Sequence, residues 1–203
     1  MKQLELKTGN EALVIVSHPD DETIWMGGTI LRHPEINWTI VVLARRNDPD
    51  RYPRFVCAAR SYHARGIISD LEDEGRLTLK ESIPEIEWRL RRLVPAQRFD
   101  YIFTHGSEGE YGHPRHKGVH RVVKNLFRKR QRGASNLFFF AYTFDEKKKF
   151  CVPAPRADFS LLLSSKAFKT KQSVIRNLYG FSPRSFETQS SGRIETFKKF
   201  RYQ

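Results

Sequence analysis

Short apolar runs alternate with longer amphipathic stretches along the chain. Five runs that are rich in β-branched and aromatic residues have the length of buried strands. They cover residues 12–16, 38–43, 101–104, 137–142 and 159–163. Helical patterns lie between most of these runs. Strands that alternate with helices in this way predict an α/β fold, a single-domain Rossmann-like parallel sheet with helices on both faces.

Three of the helical patterns have start signals or the length of a helix. The first begins at Asp20 or Asp21, since either residue suits a helix N-terminus, and the second covers residues 54–65. The third follows Ser82 and Glu85, which have the spacing of a capping box. Each of these helices can therefore connect one predicted strand to the next.

A fourth helical pattern is the clearest. Pro114 suits its first turn, and Gly133 ends it. In the earlier helices, Trp25 and Trp88 have helical spacing to other apolar residues and are expected in the core. Apolar residues recur at helical spacing in this fourth helix: Val119, Val122, Val123, Leu126 and Phe127. Ligands of such sheets bind beyond the carboxyl ends of the strands, so functional residues are expected just after each strand.

The chain as a whole predicts one domain over residues 1–203. It contains no repeat or Gly/Ser linker, and no apolar run approaches the ~18 residues that a membrane span requires. The first residues lack the apolar stretch of a secretory signal, so a cytoplasmic location is expected. Cys57 and Cys151 lie far apart, which supports neither a disulfide framework nor a thiolate metal cluster.

The chain is strongly basic. Lys and Arg number 36 against 23 Asp and Glu, a net charge of +13. This excess is typical of a nucleic-acid-binding protein or of an enzyme with an anionic substrate. The densest basic stretches are residues 121–132 and 147–149. The first contains a single aromatic residue, Phe127, which fits the apolar face of its helix, so nucleic acid is not the expected partner.

A cluster of acids and one histidine follows the first predicted strand. Residues 18–22 read His-Pro-Asp-Asp-Glu, an imidazole and three carboxylates within five residues. A helix N-terminus compensates about 0.3 to 1 kcal/mol per charge, which is small beside the repulsion between adjacent acids. A divalent cation would relieve this crowding, and Zn²⁺ accepts mixed imidazole and carboxylate ligands. Helix capping by Asp20 or Asp21 is the alternative.

A histidine pair follows the predicted strand at residues 101–104. With Pro114 at the first helical position, His113 lies near the helix cap and His116 lies one turn further on. Both side chains can therefore face the edge of the sheet where the first motif lies. Together the two segments offer two imidazoles and a carboxylate, the ligand set of an open zinc site with water in the fourth position.

These motifs resemble the signature of the PIG-L/LmbE-like zinc de-N-acetylases. The resemblance is carried by residues 18–22, by Gly-Gly-Thr at residues 27–29 and by Gly-His-Pro-Arg-His at residues 112–116. It extends more loosely over about residues 1–130. The resemblance implies a Rossmann-like fold, a Zn²⁺ cofactor and hydrolysis of an N-acyl group. The substrate of such enzymes is typically N-acetylglucosamine carried on a lipid, an inositol or another small group.

Position by position, the resemblance implies roles for five residues. It makes His18, Asp21 and His116 the metal ligands. It makes Asp20 the general base, and His113 the group that stabilises the tetrahedral intermediate or protonates the leaving amine. These residue types suit such a reaction, because zinc lowers the pKa of its water from 15.7 to about 7 and the base then takes the proton.

Two positions depart from the pattern of the family. Arg115 stands where the family usually has an aspartate, and a cation there is expected to lower the pKa of His113. In the second predicted helix, Arg54 is followed three residues later by Cys57, where the family commonly has an Arg-x-x-Glu pair. The substrate contacts of that pair are therefore not carried over to this chain.

Some residues near the predicted site have two interpretations. Arg45, Arg46 and Asp48 follow the strand at residues 38–43, and they either meet an anionic or sugar substrate or form an exposed loop. His105 lies at a strand end and is a candidate for lining the site. His120 has ligand spacing to the ligand histidine four residues earlier, but the Glu of a helical two-histidine zinc motif is missing, which favours a packing role or one behind the ligands.

Two other functions remain open. One is a different metal-dependent hydrolase, such as a phosphoesterase, on the same ligands. That chemistry commonly needs a second metal and more acids, for which Glu22, Glu108 and Glu110 are the surplus candidates. The other is a basic nucleic-acid-binding protein with a structural metal. The acyl group, its carrier and the oligomeric state do not follow from the sequence.

Overall fold

The computed structural model describes residues 1–128 and 136–201 of the chain. The strands of this part are β1 (Lys2–Gln3), β2 (Glu11–Val16), β3 (Asn37–Ala44), β4 (Arg65–Leu71), β5 (Tyr101–Thr104), β6 (Asn136–Phe140), β7 (Tyr142–Asp145), β8 (Phe150–Pro153), β9 (Phe159–Leu162) and β10 (Ile194–Lys199). Eight of them form one sheet in the order β1-β9-β10-β6-β5-β2-β3-β4, and β7 pairs with β8.

Helices cover both faces of the large sheet. They are α1 (Asp21–Arg32), α2 (Arg51–Ser61), α3 (Leu79–Leu93), the single turn α4 (Gly109–Gly112), α5 (Pro114–Arg128), α6 (Ser165–Ser173), a π-helical turn (Val174–Leu178) and α7 (Phe186–Ser190). One apolar cluster joins the sheet to α1 and α2, and a second joins its other face to α3 and α5. This arrangement confirms the predicted α/β fold class. No helix among the described residues is long and apolar enough to cross a membrane.

Strand β2 shows why the predicted strands are unbroken apolar runs. Its side chains Ala12, Val14 and Val16 belong to one cluster, and Leu13 and Ile15 belong to the other. Successive side chains of a strand point to opposite faces, so a strand that is covered on both faces is apolar at every position.

The sheet is mostly parallel, as predicted, but β10 runs antiparallel to both of its neighbours, β6 and β9. The predicted strand at residues 137–142 is two strands. It is divided at Ala141, whose backbone N–H donates to the carbonyl oxygen of Thr196 at 3.0 Å. The chain leaves the large sheet there, and Tyr142 begins the two-stranded sheet with β8.

The predicted bounds of two helices were wrong. The capping box of α3 is formed by Thr78 and Glu81, one turn before the predicted pair, and Ser82 lies inside the helix. Helix α2 covers Arg51–Ser61 and not residues 54–65, because the chain turns after Ser61 and β4 already begins at residue 65. Each helix therefore begins one turn earlier than its sequence signal suggested.

The two tryptophans that were expected in the core differ. Trp25 is buried, whereas the side chain of Trp88 lies on the outer face of α3 and is 52% exposed. The guanidinium carbon of Arg92 lies 4.8 Å from the centre of that ring. A cation over an aromatic face is favourable in water, so helical spacing alone did not place Trp88 correctly.

The topology brings the two sequence motifs to one edge of the sheet. Strands β2 and β5 are parallel neighbours, with Ile15 opposite Thr104. Their carboxyl ends therefore meet at this edge. The loop after β2 leads into α1 at Asp21, and the loop after β5 leads into α5 at Pro114. Both motifs thus lie at helix starts beside adjacent strand ends.

A buried ion pair ties α6 to the sheet and to α1. Lys171 Nζ lies 2.8 Å from Glu195 Oε1, and both side chains are fully buried. The same carboxylate accepts from the backbone N–H groups of Gly28 and Thr29, each at 2.7 Å. Lys171 therefore neutralises a carboxylate that is already enclosed by protein.

Loss of that lysine is expected to be strongly destabilising. Removal of one partner from a buried ion pair costs about 3–5 kcal/mol, because the other charge is left without compensation. Lys171→Met should lower the free energy of unfolding in urea by this amount. The exposed Lys169 of the same helix provides the control, Lys169→Met, which should change it by less than about 0.5 kcal/mol. Equal stabilities of the two variants would contradict this assignment.

Candidate metal centre

Three side-chain atoms that could bind a metal converge at the edge of the sheet, and they come from the two motifs. His18 Nδ1 lies 3.2 Å from His116 Nε2 and 3.2 Å from Asp21 Oδ2, and His116 Nε2 lies 3.4 Å from Asp21 Oδ2. A tetrahedral ion with bonds of 2.0–2.2 Å places its ligands roughly 3.3 Å apart. Two nitrogens and one oxygen with these separations are a set that Zn²⁺ accepts, so the residues fit the metal that the sequence implies.

The electrostatics of the cluster favour a positive charge. Burial acts to lower the pKa of both histidines, but neighbouring carboxylates outweigh it. Asp21 and Asp73 raise the pKa of His18 to about 9, and Asp21 and Glu110 raise the pKa of His116 to about 10. Both rings thus hold a proton strongly when no other cation is near. A divalent ion between them would take the place of these protons.

Local contacts hold Asp21 in place. It is the first residue of α1, and its Oδ2 accepts from the backbone N–H of His18 at 2.9 Å. Its Oδ1 accepts from Trp25 Nε1 at 3.0 Å, one turn further along the helix. Both bonds are local to the His-Pro-Asp-Asp-Glu segment, so the motif itself orients this carboxylate.

Two further histidine groups overlap with this cluster. His105 with Asp21 and His116 forms one candidate metal-binding group, and His113 with His18 and His116 forms another. The Nε2 atom of His105 lies 3.5 Å from Asp21 Oδ2 but also accepts from the backbone N–H of Ser17 at 3.0 Å. Its lone pair is therefore already used, which favours His18 over His105 as the second imidazole.

His18 and His116 each have a carboxylate behind the ring. Asp73 Oδ1 lies 3.0 Å from His18 Nε2, and its Oδ2 accepts from Arg45 Nη2 at 2.9 Å. Glu110 Oε2 lies 2.6 Å from His116 Nδ1. Burial acts to raise the pKa of both carboxyls, but the neighbouring histidines outweigh it and hold each pKa at about 2. Both groups are therefore carboxylates at neutral pH.

The side chain of Asp20 does not cap α1. The residue has a φ of 112°, outside the range that L-residues usually adopt, and it makes no side-chain capping bond. Its Oδ2 instead accepts from Arg51 Nη1 at 3.1 Å, and the guanidinium carbon of Arg51 lies 4.7 Å from the centre of the Phe181 ring. Burial and the charge of Asp21 raise the pKa of Asp20 well above its usual value. For Asp20, the capping alternative is therefore wrong.

The ring of His113 lies beside those of His18 and His116, 4.7 Å from the centre of each. Its Nδ1 accepts from the backbone N–H of Arg115 at 3.3 Å, so in the neutral ring Nε2 carries the hydrogen. Burial, with the charges of His116 and His18, lowers the pKa of His113 to about 4. His113 is therefore a neutral hydrogen-bond donor at pH 7.

The pKa of His113 is lowered as expected, but Arg115 is not the cause. The side chain of Arg115 is buried and turned toward the loop after β4. Its Nη2 donates to Glu72 Oε2 at 2.6 Å and to the carbonyl oxygen of Leu77 at 2.9 Å. A carboxylate thus compensates the charge that was expected to act on His113.

A cavity of about 340 Å³ opens beside the cluster. Its lining includes the aromatic side chains Trp25, Tyr111 and Phe186. Among the described residues that line it, five are acids and two are arginines: Asp20, Asp21, Asp48, Asp73, Glu187, Arg45 and Arg51. Each arginine is paired with one of these aspartates, as described above. The cavity is therefore not the strongly basic pocket that an anionic substrate would favour.

The other basic candidates lie elsewhere. Arg46 lines a separate cavity between α2 and β4. Arg54 is paired with Asp50 and donates to the carbonyl oxygen of Leu178 at 3.1 Å. Of the basic stretch at residues 121–132, residues 129–132 lie outside the described part of the chain.

Sequence reasoning missed several residues around the cluster. Asp73 lies in the loop after β4, and Glu110 was considered only as a surplus acid. Phe186 belongs to α7, far along the chain from either motif. His120 has the predicted supporting role, since its Nδ1 lies 3.0 Å from the carbonyl oxygen of His105 and its ring packs on Phe139. The available signal for Glu110 was its place in a glycine-rich turn, directly after Gly109 and two residues before Gly112.

Several solved structures have the same fold. The deacetylase Dbv21, which acts on an antimicrobial pseudoaglycone, has a TM-score of 0.66 and 14% identity over 97% of this chain and 99% of its own. The N,N'-diacetylchitobiose deacetylase of Pyrococcus horikoshii has a TM-score of 0.62 and 14% identity, over 94% and 84%. The 4-carboxy-2-hydroxymuconate hydratase GalB of Pseudomonas putida has a TM-score of 0.61 and 15% identity, over 96% and 97%. At these identities the likeness shows the fold alone.

Sequence comparisons are more specific. An uncharacterised protein of Acanthamoeba polyphaga mimivirus is 22% identical over 148 residues, which cover 65% of this chain, and the chain spans 62% of that relative's length. The model of the PIG-L family, described as GlcNAc-PI de-N-acetylase, matches residues 13–127. That match covers more than half of the chain and includes both motifs of the site. The chain therefore belongs to the PIG-L family of de-N-acetylases.

Proposed function

We propose that the protein is a zinc-dependent hydrolase that removes an N-acyl group, above all an N-acetyl group, from an amino sugar or a related small molecule. In this proposal His18, Asp21 and His116 hold the zinc, Asp20 is the general base, and His113 stabilises the intermediate. The observation that carries the proposal is the convergence of two imidazole nitrogens and a carboxylate oxygen beside an open cavity. Membership of the family supports the reaction, and the donor set supports the metal.

The first step needs a base beside the attacking water. Zinc, when bound, lowers the pKa of a water and polarises the amide carbonyl. Asp20 is suited to take the proton, because it lines the cavity and its pKa is raised by burial and by Asp21. Arg51, held against Phe181, keeps the carboxylate pointed into the cavity. As the water oxygen bonds to the amide carbon, its proton passes to Asp20.

The second step breaks the carbon–nitrogen bond. The carbonyl oxygen gains negative charge in the intermediate, and the Nε2–H of neutral His113 is suited to donate to it. Because the pKa of His113 is about 4, the ring does not carry a spare proton at pH 7. We therefore assign the return of the proton to Asp20, which gives it to the leaving amine. The products are a carboxylate, such as acetate, and a free amine.

The lining of the cavity also bears on the substrate. Aromatic faces such as those of Tyr111 and Phe186 pack well against the apolar faces of sugar rings, and acids accept hydrogen bonds from hydroxyl groups. Both arginines are already paired with aspartates. We therefore propose an N-acetylated amino sugar without a strong negative charge near the reacting amide, in place of the anionic substrate that the net charge suggested.

The phosphoesterase alternative has less support from the surplus acids. Glu22 is buried and accepts from Tyr179 at 2.7 Å and from Thr23 at 2.6 Å, which commits it to the interior. Glu110 is bonded to two histidines, and Glu108 is exposed. These three acids therefore do not supply ligands for a second metal beside the first.

The experiment is a test of which bond is broken. Zinc-loaded protein is incubated with N-acetylglucosamine, its 1-phosphate, diacetylchitobiose and an N-acetylglucosaminyl inositol, and acetate, free amine and phosphate are measured. We expect equimolar acetate and amine from at least one compound, loss of activity after chelation, and recovery with zinc. Release of phosphate without acetate would support the phosphoesterase instead, and acetate release unaffected by chelation would contradict the role of zinc.

A further inference from the structure

The carboxylate of Glu110 is bonded to two histidines at once. Its Oε2 lies 2.6 Å from His116 Nδ1 and 2.9 Å from His105 Nδ1, and its Oε1 accepts from the backbone N–H of Gly106 at 2.7 Å. The side chains of all three ionisable residues are fully buried. A carboxylate can only accept here, so each histidine must donate its Nδ1–H to it.

The second nitrogen of His105 fixes the direction of these bonds. His105 Nε2 accepts from the backbone N–H of Ser17 at 3.0 Å, so this nitrogen carries no hydrogen. The hydrogen of His105 is therefore on Nδ1, which faces Glu110. The ring also stacks on His116, with centres 3.8 Å apart and planes at 18°. A chain of contacts runs from Ser17 through His105 and Glu110 to His116.

The backbone at Glu110 is held in an uncommon conformation. Its φ of 56° and ψ of −59° lie outside the helical range although the residue belongs to the turn α4. Such a conformation is unfavourable at a residue other than glycine, and it persists only where the surroundings hold it. The preceding Gly109 also has a positive φ, of 65°, which lets the chain enter this turn. The turn thus directs the carboxylate of Glu110 toward the two histidines, although the backbone of this residue adopts an uncommon conformation to do so.

From these contacts we infer that Glu110, together with His105, is a positioning residue of the metal centre. It holds the hydrogen of His116 on Nδ1, so that the Nε2 lone pair faces His18 and Asp21. It also increases the basicity of that nitrogen as a ligand. Glu110 does not touch substrate in this account, and it acts only through His116. The inference rests on the proposed role of His116 as a ligand.

The contacts also connect the two halves of the site. Ser17 directly precedes the ligand His18, and His116 comes from the other motif. The hydrogen-bond chain therefore links the end of β2 to the start of α5 without involving the metal. The negative charge of Glu110 at the centre of this chain stabilises it, because two N–H groups point to a single carboxylate oxygen. Glutamine has the same shape, but its amide oxygen is a weaker acceptor and its NH₂ group cannot accept.

The test compares Glu110→Gln with Glu108→Gln, an exposed acid two residues earlier in the same loop. Zinc affinity is measured by competition with a chelator, which does not depend on turnover. We expect Glu110→Gln to weaken zinc binding by about 10- to 100-fold, the usual effect of removing such a partner, and Glu108→Gln to leave it unchanged. Wild-type affinity in a folded Glu110→Gln protein would overturn the inference.

A second measurement covers the case in which Glu110→Gln does not fold. Two-bond ¹H–¹⁵N spectra of the zinc-loaded wild type report which ring nitrogen carries hydrogen. We expect Nδ1–H for both His105 and His116, and a hydrogen on Nε2 of either ring would overturn the inference. If the wild type binds zinc with this pattern but hydrolyses no N-acetyl compound, the proposed function fails while the role of Glu110 stands.

Discussion

A variant with both His18→Ala and His116→Ala is expected to bind no zinc and to have no detectable hydrolase activity. The reason is that these two imidazoles supply two of the three ligand atoms in the proposed site, and Asp21 alone would not hold the ion. Elemental analysis of protein purified in the presence of zinc should give about one zinc per chain for the wild type and none for the variant.

The matched control for this variant is His63→Asn. His63 is exposed and far from the cluster in sequence, and asparagine tolerates its φ of 52°. The control should therefore keep its zinc and its activity. Equal zinc content in the double variant and the wild type would show that the ligand assignment is wrong, whatever the activity.

The second large effect is expected at Asp20, which is proposed as a base and not as a ligand. Asp20→Asn should keep zinc and lose about 10² to 10⁴ in kcat, the usual contribution of a general acid or base. The amide of asparagine still accepts from Arg51 but cannot take a proton from water. Zinc content and kcat are measured on the same preparations with the best substrate from the panel.

Asp21→Asn serves as the contrast, since Asp21 Oδ2 lies within 3.4 Å of both ligand nitrogens. This variant should lose zinc, and its activity should return in part when zinc is in excess. Loss of zinc from Asp20→Asn with retention in Asp21→Asn would mean that the two roles are reversed.

The strand ends and their motifs were predictable because both signals are local. The strand at residues 101–104 was predicted with its observed bounds, since a fully buried strand has an unbroken apolar sequence. Asp21, the proposed carboxylate ligand, is bonded to His18 and Trp25 within its own segment. Spacing along the chain therefore contains most of the information that places these residues.

Other features depend on contacts between distant segments. Strand β10 contains Glu195, an acid that its sequence alone would place at the surface. In the structure it is buried, because Lys171 neutralises it in the interior. Asp73 lies in a loop and Glu110 lies in the single turn α4, and neither segment is long enough to have a periodicity that would show where its side chains point. The capping box of α3 shows a local ambiguity, because two pairs with the same spacing compete and only one is used.

The sequence gives the net charge of the chain, but only the structure shows where the charged side chains lie. The net charge of +13 suggested an anionic substrate, but the cavity beside the cluster is lined by more acids than arginines among the described residues. A total charge does not report where the charges lie. The charge of a pocket depends on pairs such as Arg45 with Asp73, which join the ends of different strands.

The central claim is that a single ion is held by one atom from each of His18, Asp21 and His116. Anomalous diffraction from crystals of the zinc-loaded protein, measured at the zinc absorption edge, tests it most directly. We expect one peak, about 2.0–2.2 Å from His18 Nδ1, Asp21 Oδ2 and His116 Nε2. A peak bonded to His105 or His113 in place of His18 would contradict it.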